Sequence, residues 1–382
     1  MKRKRLKDLA QVVSGGTPKT SVANYWNGYI PWATPADLSR IVGPYISETP
    51  RQLTDDGLKA CSARVMPAGS VLLSSRAPIG HVAINTQPMA TNQGFKSLIP
   101  GDQLDAKYLY YWLKANRAYL ESLGNGATFK EIGKRTVENI EIPVPHVNEQ
   151  RRIATILDKA DAIRIKRREM VSYLDALEQS IFESMFKADS QHQTLDDVVD
   201  IKSGSTPSKA NVDFWGGDMP WFSPKDIKAS NLYDSLDHVT DKALEKTSLK
   251  KLPVNTPVVV VRGMILAHSA PTAVLRTPAT INQDLKALIP KNGIDVDFLA
   301  AAIRARKKWL LQRVATSAHG TKRIETRVLR ELPIPKVGQS QQIAFSHATA
   351  CVKRMRRSLN SQLDSSDYLL ASLQSRAFSG QL

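Results

Sequence analysis

Two amide pairs, Asn92-Gln93 and Asn282-Gln283, carry side chains able to pair bidentately with the major-groove edge of adenine. Each pair also precedes an apolar run, so it reads first as a structural amide bonding backbone within a sheet. Trp26, Trp32, Trp215 and Trp221 offer faces on which bases could stack, but their surroundings favour core packing. The loop Ser14-Gly15-Gly16-Thr17-Pro18 has the glycines to present N–H groups to a phosphate. It lacks the lysine and the spacing of a P-loop and reads as a turn.

Cationic side chains suited to phosphate or base contact are Arg76 and Arg262, at the ends of expected strands. Lys130, Arg135, Lys322 and Arg323 lie in or beside the matching segments 127–132 and 319–324. Lys19, Thr20, Lys209 and Lys225 flank the repeated glycine and tryptophan blocks. A further cluster, Arg151, Arg152, Lys159, Arg164, Lys166, Arg167 and Arg168, could follow a phosphate backbone, meet an acidic partner or form a solvated helix face.

No constellation for chemistry accompanies these groups. There is no glycine-rich cofactor fingerprint, no Asn/Asp-Pro-Pro-aromatic methyltransferase motif, and no His-Cys spacing for a metal. The seven histidines are scattered, and Cys61 and Cys351 are isolated apolar fillers. The sequence therefore predicts a non-catalytic chain with no metal or cofactor of its own.

Composition sets the partner class. Lys and Arg total 53 against 36 Asp and Glu in 382 residues, a net charge of +17 that attracts polyanions. Nucleic acid and an anionic membrane surface are the candidates, but no apolar run approaches the roughly 20 residues that span a bilayer. Polar residues follow the basic Met1-Lys2-Arg3-Lys4-Arg5, where a signal peptide would place its apolar core. A cytosolic protein is expected.

The elements that must position these groups occur twice, at an offset close to 190. Ser14-Gly15-Gly16-Thr17-Pro18 recurs as Ser203-Gly204-Ser205-Thr206-Pro207, and Pro31-Trp32 as Pro220-Trp221. Asn92-Gln93-Gly94-Phe95-Lys96-Ser97-Leu98-Ile99-Pro100 recurs as Asn282-Gln283-Asp284-Leu285-Lys286-Ala287-Leu288-Ile289-Pro290, and Ile142-Pro143-Val144-Pro145 as Leu332-Pro333-Ile334-Pro335. From Ser14 to Leu38, ten of 25 positions are identical without a gap.

Short β-branched runs, 71–74 and 82–84 in the first copy and 258–262 and 272–275 in the second, predict strands. Leu109, Leu113 and Leu120 then share one helical face, as do Leu299, Ile303 and Leu310, with Asp105 and Asp295 or Asp297 as N-caps. Each Pro-rich exit forces extended backbone, and Asn148 offers a cap for the next helix.

From Glu149 to about Phe186 no proline or glycine occurs. Ile153, Leu157, Ala160, Met170, Leu174, Leu177, Ile181 and Met185 recur at steps of three and four, with a lapse at 164–168, which predicts a coiled-coil seam. Ile343, Val352, Met355, Leu359, Leu363, Leu370 and Leu373 repeat it between Gln341 and Phe378. Some 38 residues make a rod of about 57 Å. Chain order predicts that the two rods pair antiparallel, with a domain at either end and pseudo-two-fold symmetry.

In order, spacing and duplication these blocks, with Glu149-Gln150-Arg151-Arg152-Ile153-Ala154 opening the first long helix, resemble the specificity subunit of a Type I restriction-modification system. The resemblance covers the whole chain. It implies a mixed α/β fold of two α+β target-recognition domains, at 1–148 and 188–338, and spacer helices at 149–187 and 339–382. It further implies that each domain reads half of a split, asymmetric double-stranded DNA site. The helices would act as a spacer and dock two methyltransferase subunits through Arg151, Arg152, Arg164, Arg167 and Arg168. S-adenosylmethionine, ATP and Mg are then expected on partner subunits, the last two with a restriction/translocase subunit. A free-standing protein that bridges two DNA segments would share the charge and the bipartite form; co-purification with a methyltransferase would exclude it.

Two features depart from the family's usual pattern. Gly338-Gln339-Ser340-Gln341 stands where the first copy has Asn148-Glu149-Gln150-Arg151, and Arg262-Gly263-Met264 where it has Arg76-Ala77-Pro78. The copies cease to align at 39–64 and 228–251, where base-reading residues are expected.

Overall fold

A computed structural model describes every residue except 77, 127–129, 187–190, 292 and 318–319. The expected junction between the first long helix and the second domain, and the starts of the 127–132 and 319–324 segments, lie outside the described residues. The chain forms two compact units, Met1–Met170 with Leu359–Leu382, and Val171–Ser358.

In unit 1 the apolar alternation builds a five-stranded sheet in the order Ala10–Ser14, Lys96–Pro100, Val71–Leu73, Val82–Asn85, Tyr45–Ile46. The first four pair antiparallel and the last joins in parallel. A second sheet sets Trp26–Ala33 between Gln52–Leu53 and Ala90–Thr91. The Pro-rich exit is held by the chain's own start, because Arg3–Arg5 pairs antiparallel with Glu141–Pro143. The basic N-terminus is therefore an edge strand.

Unit 2 repeats every pairing: Val199–Ser203, Leu285–Pro290, Thr256–Val260, Thr272–Leu275 and Asn231–Leu232 in one sheet, and Trp215–Phe222 between Asp237–Val239 and Thr280–Ile281 in the other. His192–Thr194 closes the exit at Pro333–Pro335. The strand expected at 258–262 begins and ends two residues earlier.

The amphipathic helices are α1, Ala106–Ala115, and a counterpart introduced below as α3. Asp105 caps α1 by accepting from the Tyr108 N–H at 2.9 Å. The helix then stops at Asn116, so Leu120 lies on a separate short helix, Arg117–Ser122, although it stays fully buried.

The first long helix, α2, runs Val147–Met185. Its cap is His146 and not Asn148: the Glu149 and Gln150 N–H groups donate to the His146 carbonyl at 2.9 and 3.0 Å, and Asn148 already lies inside the helix. The counterpart of α1 is α3, Val296–Ala305, capped by Asp295, which accepts from the Phe298 N–H at 2.8 Å. Asp297 instead faces Arg276 and Lys353, at 2.5 and 2.9 Å. Leu310 again sits on a following short helix, Lys307–Leu311. The last helix, α4, runs Gln339–Ser379.

The long helices are part of the cores. In unit 1, Ile153, Ala154 and Leu157 of α2 and Leu370 and Ala377 of α4 pack with Tyr108, Leu109 and Leu113 of α1. In unit 2, Phe182, Phe186, Phe298 and Phe345 form an aromatic cluster with ring centroids 5.0 to 5.9 Å apart. Within unit 1, α2 and α4 run antiparallel, Arg152 bonding the Leu382 carbonyl and Arg164 meeting Asp367.

The seam differs from a leucine stripe. Leu157, Leu174, Leu359 and Leu370 are buried as expected, and Ile181 and Leu363 partly so. Leu177 and Met355 are exposed at 47% and 49%, and Glu178 and Arg356, each the next residue, turn inward in their place. The reason is electrostatic: Arg356 bonds Glu178 at 2.7 Å and Asp175 at 2.8 Å, and Arg304 of α3 bonds Glu178 at 2.9 Å. A buried charge is tolerated only when paired in this way.

Candidate nucleic-acid interface

The repeated blocks that looked most like chemistry are largely scaffold. Asn92 Oδ1 accepts from the Gly94 N–H at 2.9 Å and Asn282 Oδ1 from the Asp284 N–H at 3.0 Å, each closing a local turn. The Trp32 and Trp221 indoles donate to the Gly16 and Ser205 carbonyls, both at 3.0 Å, and those of Trp26 and Trp215 donate to the Lys19 and Ser208 carbonyls. In each unit the two rings meet edge-on at 5.1 Å. Trp32 and Trp221 are 2% and 4% exposed, leaving no face for a base.

The glycine loop is a packed turn in both units. Its Gly16 and Ser205 N–H groups donate to the Thr91 and Ile281 carbonyls at 2.9 and 3.0 Å, so they are not offered to a phosphate. A Cβ at Gly15 or Gly204 would lie 1.9 Å from the Asn92 oxygen or 2.1 Å from the Ile281 oxygen. Only glycine fits there.

Beside that turn each unit shows an exposed polar surface. Gln93 and Gln283 point outward, and their side-chain carbonyls accept from the Thr17 and Thr206 hydroxyls. Next to them the ladder brings together residues distant in sequence. Arg76 bridges antiparallel to Glu131, and Arg262 bridges antiparallel to Arg323. The Ile132 N–H donates to the Ser75 carbonyl and the Ile324 N–H to the Val261 carbonyl, at 2.9 and 2.8 Å. Arg76 and Arg262 are therefore true structural equivalents.

Around this ladder the charges differ. In unit 1, Glu131 sits 3.8 Å from Arg76 and 3.1 Å from Lys96. In unit 2, Arg262, Lys286, Arg323 and Gln283, with Glu325, line a cleft of about 280 Å³. There Arg262 lies 3.8 Å from Asp284, and Arg323 bonds Glu325 at 2.9 Å. Lys286 donates to the Ser203 hydroxyl at 2.5 Å. Burial and the nearby Arg262 hold its ammonium below the ordinary lysine pKa.

Of the other expected contact residues, Lys19, Thr20, Lys130, Arg135 and Lys209 are exposed. Lys322 is partly buried and bonds the Thr316 hydroxyl at 2.7 Å. Lys225 is paired with Asp237 at 2.7 Å, which raises its pKa. The basic cluster on α2 is substantially used within unit 1. Arg164 pairs with Asp161 and Asp367 at 2.8 and 3.2 Å, Arg167 bonds the Gln362 carbonyl and the Ser366 hydroxyl, and Arg168 lies 3.6 Å from Asp367. Those contacts fill the lapse in the seam at 164–168. Arg151 and Arg152 are exposed, at 4.0 Å from Asp105 and 2.7 Å from Glu149 respectively.

The sequence reading passed over Lys96 and Lys286. Their signal is a lysine at the same place in both copies of an otherwise apolar strand, Phe95-Lys96-Ser97-Leu98 and Leu285-Lys286-Ala287-Leu288. Gln150 has a structural role of its own. It is fully buried, accepts from the Asp105 N–H at 2.9 Å and donates to the Gln103 and Pro145 carbonyls, fastening α2 to its globular unit. Gln342 does the same with Asp295 and Val337, so the second copy keeps this latch two residues beyond the sequence-based alignment.

Among the described residues no group of three or more His, Cys, Asp or Glu is arranged to hold a metal ion, and no helix is long and apolar enough to cross a membrane.

A paired set of α+β units with this duplicated surface matches one family model, the Type I restriction modification DNA specificity domain, at residues 1–171 and again at 187–346. The chain belongs to that family. It is 33% identical over 270 residues to the Type I restriction enzyme MjaIX specificity subunit of Methanocaldococcus jannaschii, covering 65% of this chain and 62% of that protein. It is 30% identical over 253 residues to the EcoR124I/EcoR124II specificity subunit of Escherichia coli, covering 62% and 61%. The chain thus spans about three fifths of the length of these relatives. In fold it is similar to the crystal structure of a Type I restriction-modification S subunit from M. genitalium, with a TM-score of 0.53 at 16% identity over 99% of this chain and 96% of that one.

Proposed function

We propose that this chain is the sequence-reading subunit of a Type I restriction-modification assembly, working in the cytoplasm on double-stranded DNA. Each unit reads one half of a split, asymmetric site. The long helices set the spacing and dock two methyltransferase subunits, through which restriction/translocase subunits join. S-adenosylmethionine, ATP and Mg belong to those partners, and this chain performs no bond chemistry.

The observation that carries this reading is a scaffold built twice with different side chains at matched positions: Glu131 against Arg323 on the ladder, and Gly94 against Asp284 beside it. Shared turns and tryptophans hold the framework, and divergent surface residues make two readers of different sequence. Physical necessity favours two. A mismatched base pair costs about 1–3 kcal/mol, so a reader of roughly three base pairs discriminates too weakly against millions of competing sites. Linking two readers adds about 10² to 10⁴ in avidity when the spacing fits.

Partner docking is supported by apolar side chains that α2 turns outward, Ile163 and Met170 in its first part and Tyr173 and Leu177 in its second.

Selection of bound duplexes from a random pool, with the chain co-expressed with its methyltransferase, tests the reading. Two constant blocks separated by a fixed unread gap are expected. A single contiguous block, or no enrichment, refutes it.

A further inference from the structure

The ladder that joins Arg76 to Glu131 in unit 1 joins Arg262 to Arg323 in unit 2, and this one exchange reverses the charge beside a lysine that is buried in unit 1 and half-buried in unit 2. In unit 1 the Glu131 carboxylate lies between two cations, 3.1 Å from the Lys96 ammonium and 3.8 Å from the Arg76 guanidinium. An anion already occupies that position, and it is part of the chain.

In unit 2 the same position holds a third cation. Asp284 replaces Gly94 and stands 3.8 Å from Arg262, and Glu325 pairs with its near neighbour Arg323 at 2.9 Å. Neither reaches Lys286, which among the described residues has no carboxylate within 4.0 Å and donates only to the Ser203 hydroxyl. The cleft these groups line, of about 280 Å³, is open to solvent through Arg262 and Arg323, both exposed.

We infer that the Arg262–Lys286–Arg323 cleft of unit 2 is a phosphate-binding site that takes a backbone phosphate of the DNA, and that Glu131 closes the equivalent site in unit 1. The chemistry selects an anion over a base edge. A guanine edge is neutral and satisfies one planar guanidinium bidentately, whereas an ammonium that shares one cleft with two guanidiniums calls for a tetrahedral group with several charged oxygens. The Thr206–Gln283 pair on the cleft's rim supplies neutral hydrogen-bonding groups for the adjoining sugar or base. The negative charge of an anion at this place would also offset the burial and the repulsion from Arg262 that depress the Lys286 pKa. The two units thus hold DNA unequally, with one more phosphate clamped by the second.

The assignment of the phosphate to DNA rests on the function proposed above, so the test has two arms. In the first, acetic anhydride labelling of lysines in the full chain is read by peptide mass spectrometry, in inorganic phosphate or in chloride of equal ionic strength. Phosphate should protect Lys286 several-fold in the wild type but not in Arg323→Glu or Arg323→Gln, and should leave Lys96 unaffected. Unchanged Lys286 labelling in phosphate overturns the site, whatever DNA does.

In the second arm, duplex binding is measured against salt concentration. Each neutralised phosphate contributes about 0.9 to the slope of log K against log salt, so Arg323→Glu should lose about that amount and Glu131→Arg should gain it. Protection by inorganic phosphate with an unchanged slope in Arg323→Glu overturns the DNA assignment and leaves a site for free phosphate. A chain that binds no duplex at any salt concentration refutes the proposed function, while the first arm still judges the cleft.

Discussion

Trp32 and Lys96 show how the same surroundings fix opposite roles for two side chains near the repeated turn. Trp32 is 2% exposed and its indole is committed to the Gly16 carbonyl at 3.0 Å, so its value is in packing. Replacing it by alanine should cost about 3–5 kcal/mol, as for other buried aromatic truncations. Phenylalanine should cost less, chiefly the lost hydrogen bond and the imperfect fill, at about 1–2 kcal/mol. Urea unfolding of Trp32→Ala and Trp32→Phe measures both. A fully stable Trp32→Ala that loses DNA affinity would restore the stacking reading and sink this one. Lys96, only 8% exposed, is accommodated in the same region by its contact with Glu131 at 3.1 Å. The tryptophans and structural amides were legible in the sequence because recurrence in both copies marks what the scaffold needs. The Glu131 contact with Lys96, 35 residues away, was not, since it depends on the ladder between Arg76 and Glu131, 55 residues apart.

Among the helices, periodicity located every long element to within about two residues but misplaced part of the inward face. Leu177 and Met355 fit a seam of leucines and methionines at steps of three and four. The chain instead turns Glu178 and Arg356 inward, because those two satisfy each other at 2.7 Å and Arg304 reaches the same carboxylate. Hydrophobic pattern alone does not register a buried ion pair. The neighbouring contact of α3 with α4 has a pH signature. Burial raises the pKa of the Asp297 carboxyl, but Lys353 at 2.9 Å and Arg276 at 2.5 Å lower it further, and the net shift is below the ordinary 3.8. A carboxylate depressed in the folded state stabilises fully above its unfolded pKa, and that contribution is lost as pH falls through the folded value. The Asp297 contribution should therefore be constant from pH 7 to 5 and decline below about pH 4. Urea midpoints against pH should show a shallower acid limb for Asp297→Asn than for the wild type. Superimposable acid limbs would show that this pair does not contribute.

Over the length of the chain, what distinguishes this duplication from two separate domains in tandem is that its continuous helices are built into both cores. In unit 1, Arg167 of α2 bonds the Gln362 carbonyl and the Ser366 hydroxyl of α4, which puts residues 167 and about 364 at the same height on antiparallel helices. Seven residues inserted into each helix at those positions would add two turns, keep both seams facing at a period of 3.5, and lengthen the pair by about 10 Å. At about 3.4 Å per base pair that is close to three base pairs. If the helices set the spacing of the two readers, the selected site should keep both constant blocks and widen its unread gap by about three positions. Insertion in one helix alone breaks the register of the Arg167 contacts and should weaken binding to any gap. A double-insertion variant that selects both blocks at the original gap would show that the spacing is set elsewhere, and would leave the long helices only their role in core packing.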